Sequence, residues 1–299
     1  MITLSNGHKL EYVVASGALG FDGRGWWHER PLVWLGLIQP KLFTVVIKSL
    51  SLQPIKGNLC WWKPWTWIPW SPWSCVRFLP GGAVNKVGLT NPGIDWWIAN
   101  VAPTLTKEEF KRTVVSLYGS KDELVVMIIK LNRFPFAAYE INDSCPNTGH
   151  LLSQTNSIVQ TVKAAKKVSK HPLILKLSVA QDYLRIAEGV YEEVEAISIN
   201  SVPWDRVFFG KKSPLEKIGK PGSGKGGVSG KPAQNLNWKA ILELSQESPI
   251  PVIAPGMMEY ADLNFVRTLG AKAVSFGAIH LRTPWKPTSI VRKEIACGR

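Results

Sequence analysis

The stretch Tyr139-Glu-Ile-Asn-Asp-Ser-Cys-Pro-Asn147 indicates both how the chain folds and where its chemistry lies. Its first residues suit a buried strand, whereas the asparagine, aspartate, serine and proline that follow are turn formers. Cys145 therefore lies in a loop at the carboxyl end of a predicted strand. In a barrel of alternating strands and helices, that end carries the active site, because its loops vary without disturbing the core. Taken alone, the stretch also fits a turn with an incidental cysteine.

Seven further short apolar runs extend the strand pattern along the chain. The eight predicted strands cover residues 12–16, 43–47, 113–117, 137–141, 173–177, 196–199, 251–254 and 273–276. Helical patterns cover residues 94–100, 157–169, 182–193, 237–245 and 260–269, and a further helix is capped by Ser120 and runs to about Leu131. Short apolar strands that alternate with helices are typical of a parallel sheet buried on both faces. The sequence therefore predicts one α/β domain over residues 1–299, a (β/α)8 TIM barrel.

Composition limits the partners and the compartment. The 36 basic and 22 acidic residues give a net charge of +14, which indicates an anionic partner: a small phosphate or carboxylate ligand, nucleic acid or an acidic membrane. The four cysteines form no C-x-x-C pair and favour reduced cytosolic thiols, although a disulfide between Cys60 and Cys75 stays open. No run of about 18 apolar residues occurs, so we expect a cytoplasmic protein without a signal peptide or spanning helix.

Residues 58–80 differ sharply in composition from the rest of the chain. Tryptophan alternates there with proline, at Trp61, Trp62, Pro64, Trp65, Trp67, Pro69, Trp70, Pro72 and Trp73. Proline at this density excludes a helix and a central strand, so we predict an insertion after the second strand, near the active-site face. The indoles could cover a pocket, dock on a partner or rest in a membrane interface. A self-packed aromatic cluster fits equally well.

Two glycine-rich segments are predicted to be loops. Residues 81–93 can approach a flat ligand closely, and Asn85 offers it a donor and an acceptor. Residues 219–230 are predicted to be the most flexible part of the chain. They nearly match the phosphate loop of nucleotide hydrolases, but Gly226 stands where a serine or threonine must hold magnesium, and no strand leads directly into the segment. Backbone amides of its glycines could still cradle a flavin or its phosphate.

Amides, lysines and one thiol gather at the predicted strand ends. The residues concerned are Lys48, Asn85, Asn142, Cys145, Asn147, Lys176, Asn200 and Ser201. The scarcity of carboxylates there argues against a glycosidase pair or a metal site. No histidine falls at a strand end beside Cys145, so a Cys-His hydrolase is poorly supported. The set fits a planar, anionic substrate, a flavin that accepts hydride, and Cys145 as the base.

Motifs in the same order along nearly the whole chain resemble those of the dihydroorotate dehydrogenase family, flavin mononucleotide (FMN) enzymes on a (β/α)8 barrel. They are Val14-Ala-Ser-Gly17, Lys48-Ser-Leu-Ser51, Lys56-Gly-Asn58, Asn85-Lys-Val-Gly-Leu-Thr-Asn-Pro-Gly93, Asn142-Asp-Ser-Cys-Pro-Asn147, Lys176-Leu-Ser178, Asn200-Ser201, Gly226-Gly-Val-Ser-Gly230, Ile253-Ala-Pro-Gly256 and Ser275-Phe-Gly277. The Asn-x-Ser-Cys-Pro-Asn motif is highly specific.

The resemblance implies a role for each matching residue. Dihydroorotate would be held by Lys48, Asn85, Gly88, Leu89, Asn142, Asn147, Asn200 and Ser201. FMN would contact Ala15, Ser16, Lys48, Asn142, Lys176, Gly227, Ser229, Gly256 and Gly277. Cys145, as a thiolate favoured by Lys48, would remove the C5 proton while hydride leaves C6 for the flavin, which gives orotate. A cysteine base resembles the soluble class 1 enzymes, and because only about a dozen residues precede the first predicted strand, we expect no helical domain of the class 2 type.

Some features depart from the family pattern and keep alternatives open. The tryptophan-rich insertion is absent from that pattern, Met257 follows Gly256 where a second glycine is frequent, and Ala278 follows Gly277 where a hydroxyl residue is usual. A flavin barrel of the tRNA-dihydrouridine synthase type would explain the charge, and a non-enzymatic membrane or nucleic-acid binder would explain the insertion. We expect a homodimer without nucleic acid, with an electron-acceptor protein or a peripheral membrane contact at the insertion. Fumarate, NAD and quinone remain candidate electron acceptors.

Overall fold

The computed structural model describes residues 1–60, 63–142, 155–199, 201–220 and 224–298. Its strands, in chain order, are β1 Ile2–Thr3, β2 Lys9–Leu10, β3 Tyr12–Val14, β4 Thr44–Val46, β5 Val76–Leu79, β6 Gly82–Asn85, β7 Thr113–Leu117, β8 Ala138–Asn142, β9 Leu173–Leu177, β10 Ala196–Ile199, β11 Val202–Pro203, β12 Gly227–Gly230, β13 Val252–Ala254 and β14 Ala273–Phe276. Eight of these strands close into a parallel barrel in the order β3-β4-β7-β8-β9-β10-β13-β14. The predicted (β/α)8 barrel is confirmed.

Helices follow most of the barrel strands within the described ranges. They are α1 Arg30–Trp34, α2 Ile94–Asn100, α3 Lys107–Lys111, α4 Lys121–Leu131, α5 Thr155–Val168, α6 Tyr183–Gly189, α7 Trp204–Val207, α8 Lys231–Glu247, α9 Tyr260–Thr268, α10 Ala278–Arg282 and α11 Lys286–Ala296, with 3-10 turns at Pro40–Leu42, Pro64–Thr66 and Ala102–Thr104. None of these helices has the length and apolar composition needed to cross a lipid bilayer.

Helix boundaries follow local chemistry. Ser120 caps α4 as predicted, in a reciprocal capping box with Glu123. The predicted helix over residues 182–193 ends early, at Gly189, where an ideal Cβ would lie only 2.6 Å from Val159 Cγ2 of α5. Helix α8 begins at Lys231, six residues before the predicted start at Asn237. Pro232 lies in its first turn, a position that suits proline.

The barrel interior contains an apolar layer to which every strand contributes one side chain. The layer consists of Val13, Val46, Val114, Ala138, Ile174, Ala196, Ile253 and Ala273. Ile2, Leu4 and Leu10 of the β1–β2 hairpin pack against the same cluster. The hairpin therefore closes the amino-terminal end of the barrel, and the carboxyl end is left for a site.

A second, antiparallel sheet has the order β11-β12-β6-β5 and corrects two predictions. Residues 81–93 and 219–230 are not loops throughout, because they contain β6 and β12. An ideal Cβ on Gly82 would lie 2.1 Å from the Ser229 carbonyl oxygen, and one on Gly230 would lie 2.6 Å from the Gly81 carbonyl oxygen. These glycines permit close pairing of two backbones, and they do not mark flexibility.

The described part of the insertion forms turns that lead into β5. Thr66 ties its two ends together, because its hydroxyl oxygen accepts a hydrogen bond from Cys60 N (2.9 Å) and its carbonyl accepts one from Cys75 N (2.9 Å). Cys60 and Cys75 are both free thiols, so the disulfide left open by the sequence is not formed. Burial raises the pKa of Cys75 to about 12, which keeps this thiol protonated and unreactive.

Candidate active site

A polar layer lies directly above the apolar layer of the barrel. Lys48, Glu140, Lys176, Ser198 and Ser275 each follow a residue of the apolar layer by two positions. Side chains two apart on a strand face the same side, so these groups also point into the barrel. The alternation of the sequence thus places charged and hydroxyl groups at the carboxyl ends of the strands.

The polar layer forms the floor of a cavity of about 630 Å³. Nine of the predicted site residues line its wall: Ala15, Ser16, Lys48, Asn85, Lys176, Ser201, Ser229, Gly256 and Gly277. Four others, Gly88, Leu89, Asn142 and Gly227, do not belong to the lining. Cys145, Asn147 and Asn200 lie outside the described residues. The volume falls in the usual range for sites that bind cofactors and small ligands.

Asn142 lies behind the wall and connects to it through Ser49. Its Nδ2 donates a hydrogen bond to Ser49 Oγ over 2.9 Å. Ser49 Oγ in turn lies 3.1 Å from Ser16 Oγ and 2.8 Å from Ser116 Oγ. Ser16 lines the cavity, so this buried network fixes the Asn142 amide relative to a wall residue.

The turn after β6 explains the positions of Gly88 and Leu89. Both have positive φ angles, +69° and +56°, and the preceding Val87 lines the cavity. An ideal Cβ on Gly57 would lie 2.1 Å from Thr90 Oγ1, so only glycine fits against this turn. Asn58 Nδ2 also donates to the Lys86 carbonyl over 2.7 Å. The Lys56-Gly-Asn58 motif therefore supports the turn next to Asn85, while Gly227 pairs in register with Asn85 itself.

Sequence reasoning missed a buried ion pair at the floor of the cavity. Lys176 Nζ lies 3.0 Å from Glu140 Oε1, and Ser198 Oγ donates to Glu140 Oε2 over 3.1 Å. All three residues are buried and line the cavity. The position of Glu140, two residues before Asn142 on the same strand, was the signal that places it on the inner face.

An aromatic wall is formed by residues 26–29, which sequence reasoning missed, together with Trp67 and Trp70 of the insertion. Trp26 Nε1 donates to the Gly17 carbonyl over 3.0 Å, and the His28 and Trp67 rings stack with centroids 5.9 Å apart. Glu29 is buried beside them, and burial raises its pKa to about 7. The side chains follow the glycine loop after β3, where the sequence indicated only a loop.

Two buried side chains on the wall have polar atoms without a hydrogen-bond partner within the described ranges. Neither ring nitrogen of His280 is bonded, nor is Oδ1 of Asn237. Burial lowers the pKa of His280 to about 4, so its imidazole is neutral at physiological pH. Buried polar groups are normally satisfied, so these atoms are consistent with a polar occupant of the cavity.

A closed (β/α)8 barrel with a polar, lysine-containing cavity at the carboxyl ends of its strands has the active-site arrangement of TIM-barrel enzymes. The family model described as dihydroorotate dehydrogenase matches residues 74–295. The chain therefore belongs to the dihydroorotate dehydrogenase family and is an oxidoreductase. The match confirms the resemblance seen in the sequence motifs.

Several curated relatives are similar over most of their length. Each of the following three is the catalytic subunit of a dihydroorotate dehydrogenase B (NAD(+)). The protein from Bacillus cereus strain B4264 is 30% identical over 296 residues, which cover 95% of this chain and 87% of the relative. The one from Geotalea daltonii is 30% identical over 255 residues, 82% and 77% of the two chains. The one from Petrotoga mobilis is 28% identical over 286 residues, 92% and 86% of the two chains.

Proposed function

We propose that the chain oxidises dihydroorotate to orotate, a step of pyrimidine biosynthesis, with FMN as its cofactor. The observation that carries this proposal is the convergence of Lys48, Asn85, Lys176 and Ser201 on one cavity that also contains Gly256 and Gly277. Lysines and amides suit an anionic, planar substrate that accepts and donates hydrogen bonds. Membership of the dihydroorotate dehydrogenase family supports the same substrate.

The cavity fits FMN in its volume and its donors. Gly256 has a φ of +89°, and an ideal Cβ on Gly277 would lie 3.3 Å from Ala15 Cβ, so both positions favour bare backbone. Loops after the seventh and eighth barrel strands are a usual phosphate site. We assign these two glycines to the phosphate, and assign Ala15, Ser16, Lys48, Asn142, Lys176, Gly227 and Ser229 to the rest of FMN. When bound, FMN supplies the two-electron acceptor for hydride from dihydroorotate.

The substrate ring would be held by amides and one ammonium. We assign Lys48, Asn85, Gly88, Leu89, Asn142, Asn147, Asn200 and Ser201 to this role, with Cys145 as the base that accepts the C5 proton. The positive charge of Lys48 would favour the Cys145 thiolate, which is the basic form. A buried and partly desolvated lysine is suited to this, because its field is screened less than that of an exposed one.

We further propose that the whole chain is one FMN-binding barrel, with residues 58–80 as an insertion beside the active site. Trp67 and Trp70 of the insertion line the cavity, which supports this placement. The chain is expected to act in the cytoplasm as a homodimer. The relatives are named catalytic subunits, so an electron-acceptor protein is the partner that we expect after substrate oxidation.

Anaerobic reduction tests the proposal directly. The purified full chain should be yellow or become yellow with FMN, and dihydroorotate should bleach the flavin absorbance with formation of orotate. Protein that cannot be loaded with FMN would overturn the cofactor assignment. FMN-loaded protein that dihydroorotate does not reduce, but that a dihydrouridine-containing RNA does, would overturn the substrate assignment. Reoxidation by NAD, fumarate or quinone would then identify the class of acceptor.

A further inference from the structure

The opening of the cavity is bordered by apolar side chains that face solvent. Trp27, Trp70, Phe78 and Leu281 all line the cavity, yet they are 67%, 80%, 41% and 47% exposed. We call these four residues the aromatic rim. Large apolar side chains at the mouth of a polar site are not explained by the binding of a small anionic substrate inside it.

Neighbouring segments enlarge the apolar surface around the aromatic rim. The Trp27 ring packs edge to face on Trp67 with centroids 5.9 Å apart, which joins the loop after β3 to the insertion. Helix α1 follows in the chain and buries none of its residues, and its Trp34 is 82% exposed. Trp73 of the insertion is also mostly exposed. Large exposed apolar side chains concentrated in one part of the chain indicate an interaction surface.

The positive charge of the segments around the aromatic rim indicates what kind of partner this surface binds. Residues 31–94 contain six lysines and arginines, of which Lys48 and Lys86 are buried, and no aspartate or glutamate. Lys56 and Lys63 are exposed, and the guanidinium of exposed Arg282 lies 5.4 Å from the centroid of the Phe78 ring. Interfaces between proteins are depleted of lysine, whereas tryptophan together with lysine or arginine is characteristic of surfaces that bind anionic membranes.

We propose that the aromatic rim docks the mouth of the cavity on an anionic lipid bilayer. The indoles would rest among the headgroups, where an apolar ring with a polar N–H is favoured, and the lysines would face the lipid phosphates. No spanning helix is needed for this contact. The inference goes beyond the proposed reaction and does not depend on it, since binding to vesicles is measured without substrate.

Co-sedimentation of the purified full chain with vesicles tests the docking. We expect binding to vesicles of phosphatidylglycerol and phosphatidylcholine, weaker binding to pure phosphatidylcholine, and loss of the difference at high salt. The double variant Trp70→Ser/Trp73→Ser should bind about tenfold more weakly, because apolar area buried in the interface sets the affinity. Lys63→Gln should weaken binding to the anionic vesicles by about fivefold, the effect of one basic residue near such a surface.

Phe209→Ser is the matched control, because Phe209 is 92% exposed and lies outside the cavity lining. It should bind like the unaltered chain. The proposal is overturned if the unaltered chain does not bind anionic vesicles, or if the tryptophan variant and the control bind equally. It is also overturned if the tryptophan substitutions convert a dimer to a monomer, since the surface would then be covered by a second copy. Quenching of the unaltered chain's fluorescence by brominated lipids gives a readout that needs no variant to fold.

Discussion

The Lys176 ammonium and the Glu140 carboxylate form a buried ion pair, 3.0 Å apart, on neighbouring strands at the floor of the cavity. In the β8–β9 register Lys176 lies opposite Asn142, and in the β9–β10 register it lies opposite Ser198, whose hydroxyl bonds the same carboxylate. Glu140 therefore compensates the charge of the lysine that we assign to FMN. Its absence would leave a positive charge in a desolvated site.

Glu140→Gln is expected to destabilise the flavin-free protein by about 3 kcal/mol, because breaking a buried pair leaves one charge uncompensated. The midpoint potential of bound FMN should rise by about 30 mV or more, which is about 1.4 kcal/mol for a two-electron couple. The physical reason is that an uncompensated ammonium favours the more negatively charged reduced flavin. Urea unfolding and equilibration with reference dyes measure the two quantities.

Ser198→Ala is the control for Glu140→Gln, because it removes a hydrogen bond to the same carboxylate without changing charge. It should destabilise by about 1 kcal/mol and leave the flavin potential unchanged. If Glu140→Gln also leaves the potential unchanged, the pair has a structural role only and Lys176 does not act on the flavin.

Ser49→Ala tests whether the serine network holds a ligand-binding amide in place. The substitution removes the 2.9 Å bond from Asn142 Nδ2, so the free energy of unfolding should fall by about 1–2 kcal/mol. Because Asn142 is a proposed substrate ligand, KM for dihydroorotate should rise at least threefold, on the order of 0.7 kcal/mol. Thr113→Val is the matched control: Thr113 is also buried, and its hydroxyl donates a 2.7 Å hydrogen bond to the Glu109 carbonyl at the amino-terminal end of β7, away from the cavity lining. It should lose similar stability and keep the same KM, and equal KM values in both variants would exclude the proposed role.

The barrel could be predicted because each of its strands is specified by a short stretch of consecutive residues. Each strand is a short apolar run, and the period of two already carries Lys48 and Lys176 to the same face as Val46 and Ile174. Lysines and amides after such runs must therefore meet at one end of a parallel barrel. This is why nine of the predicted site residues line one cavity.

The remaining features depend on contacts between distant segments. The pairing of Gly82 with Gly230 brings together residues far apart in sequence, and glycine-rich sequence on its own is typical of a loop. The strand pattern places Glu140 on the inner face, but its pairing with Lys176 depends on how β8 lies against β9, which no local pattern reveals. The aromatic wall required the insertion to fold back on Trp27 and His28, and a proline-rich segment gives no register for that contact.

Thiol reactivity should separate the proposed base from the structural cysteine. In a Cys60→Ser/Cys297→Ser background, which removes the half-buried and the exposed thiol, iodoacetamide at pH 8 is expected to alkylate Cys145 and abolish flavin reduction in parallel, with orotate giving protection. Cys75 should stay unmodified in the native protein, because it is fully buried and its pKa is raised to about 12. Cys145→Ala should retain FMN and slow its reduction by about 10²-fold, the usual scale for loss of a general base. Reduction at an unchanged rate would remove Cys145 from the mechanism.

Glu29 should make the stability of the protein depend on pH near neutrality. Burial raises its carboxyl pKa from 4.5 to about 7, although a hydrogen bond from Trp26 N and the charge of Arg30 oppose the rise. The folded state therefore binds more protons than the unfolded state between these pH values, so stability falls as the pH rises from 5 to 8. Glu29→Gln removes this titration. The free energy of unfolding of the variant, minus that of the unaltered chain, should therefore be about 2 kcal/mol larger at pH 8 than at pH 5. Urea unfolding at both pH values measures the difference, and Glu247→Gln, at an exposed carboxylate, should show no such gain. A constant difference for Glu29→Gln would mean that its carboxyl group is already ionised at pH 5.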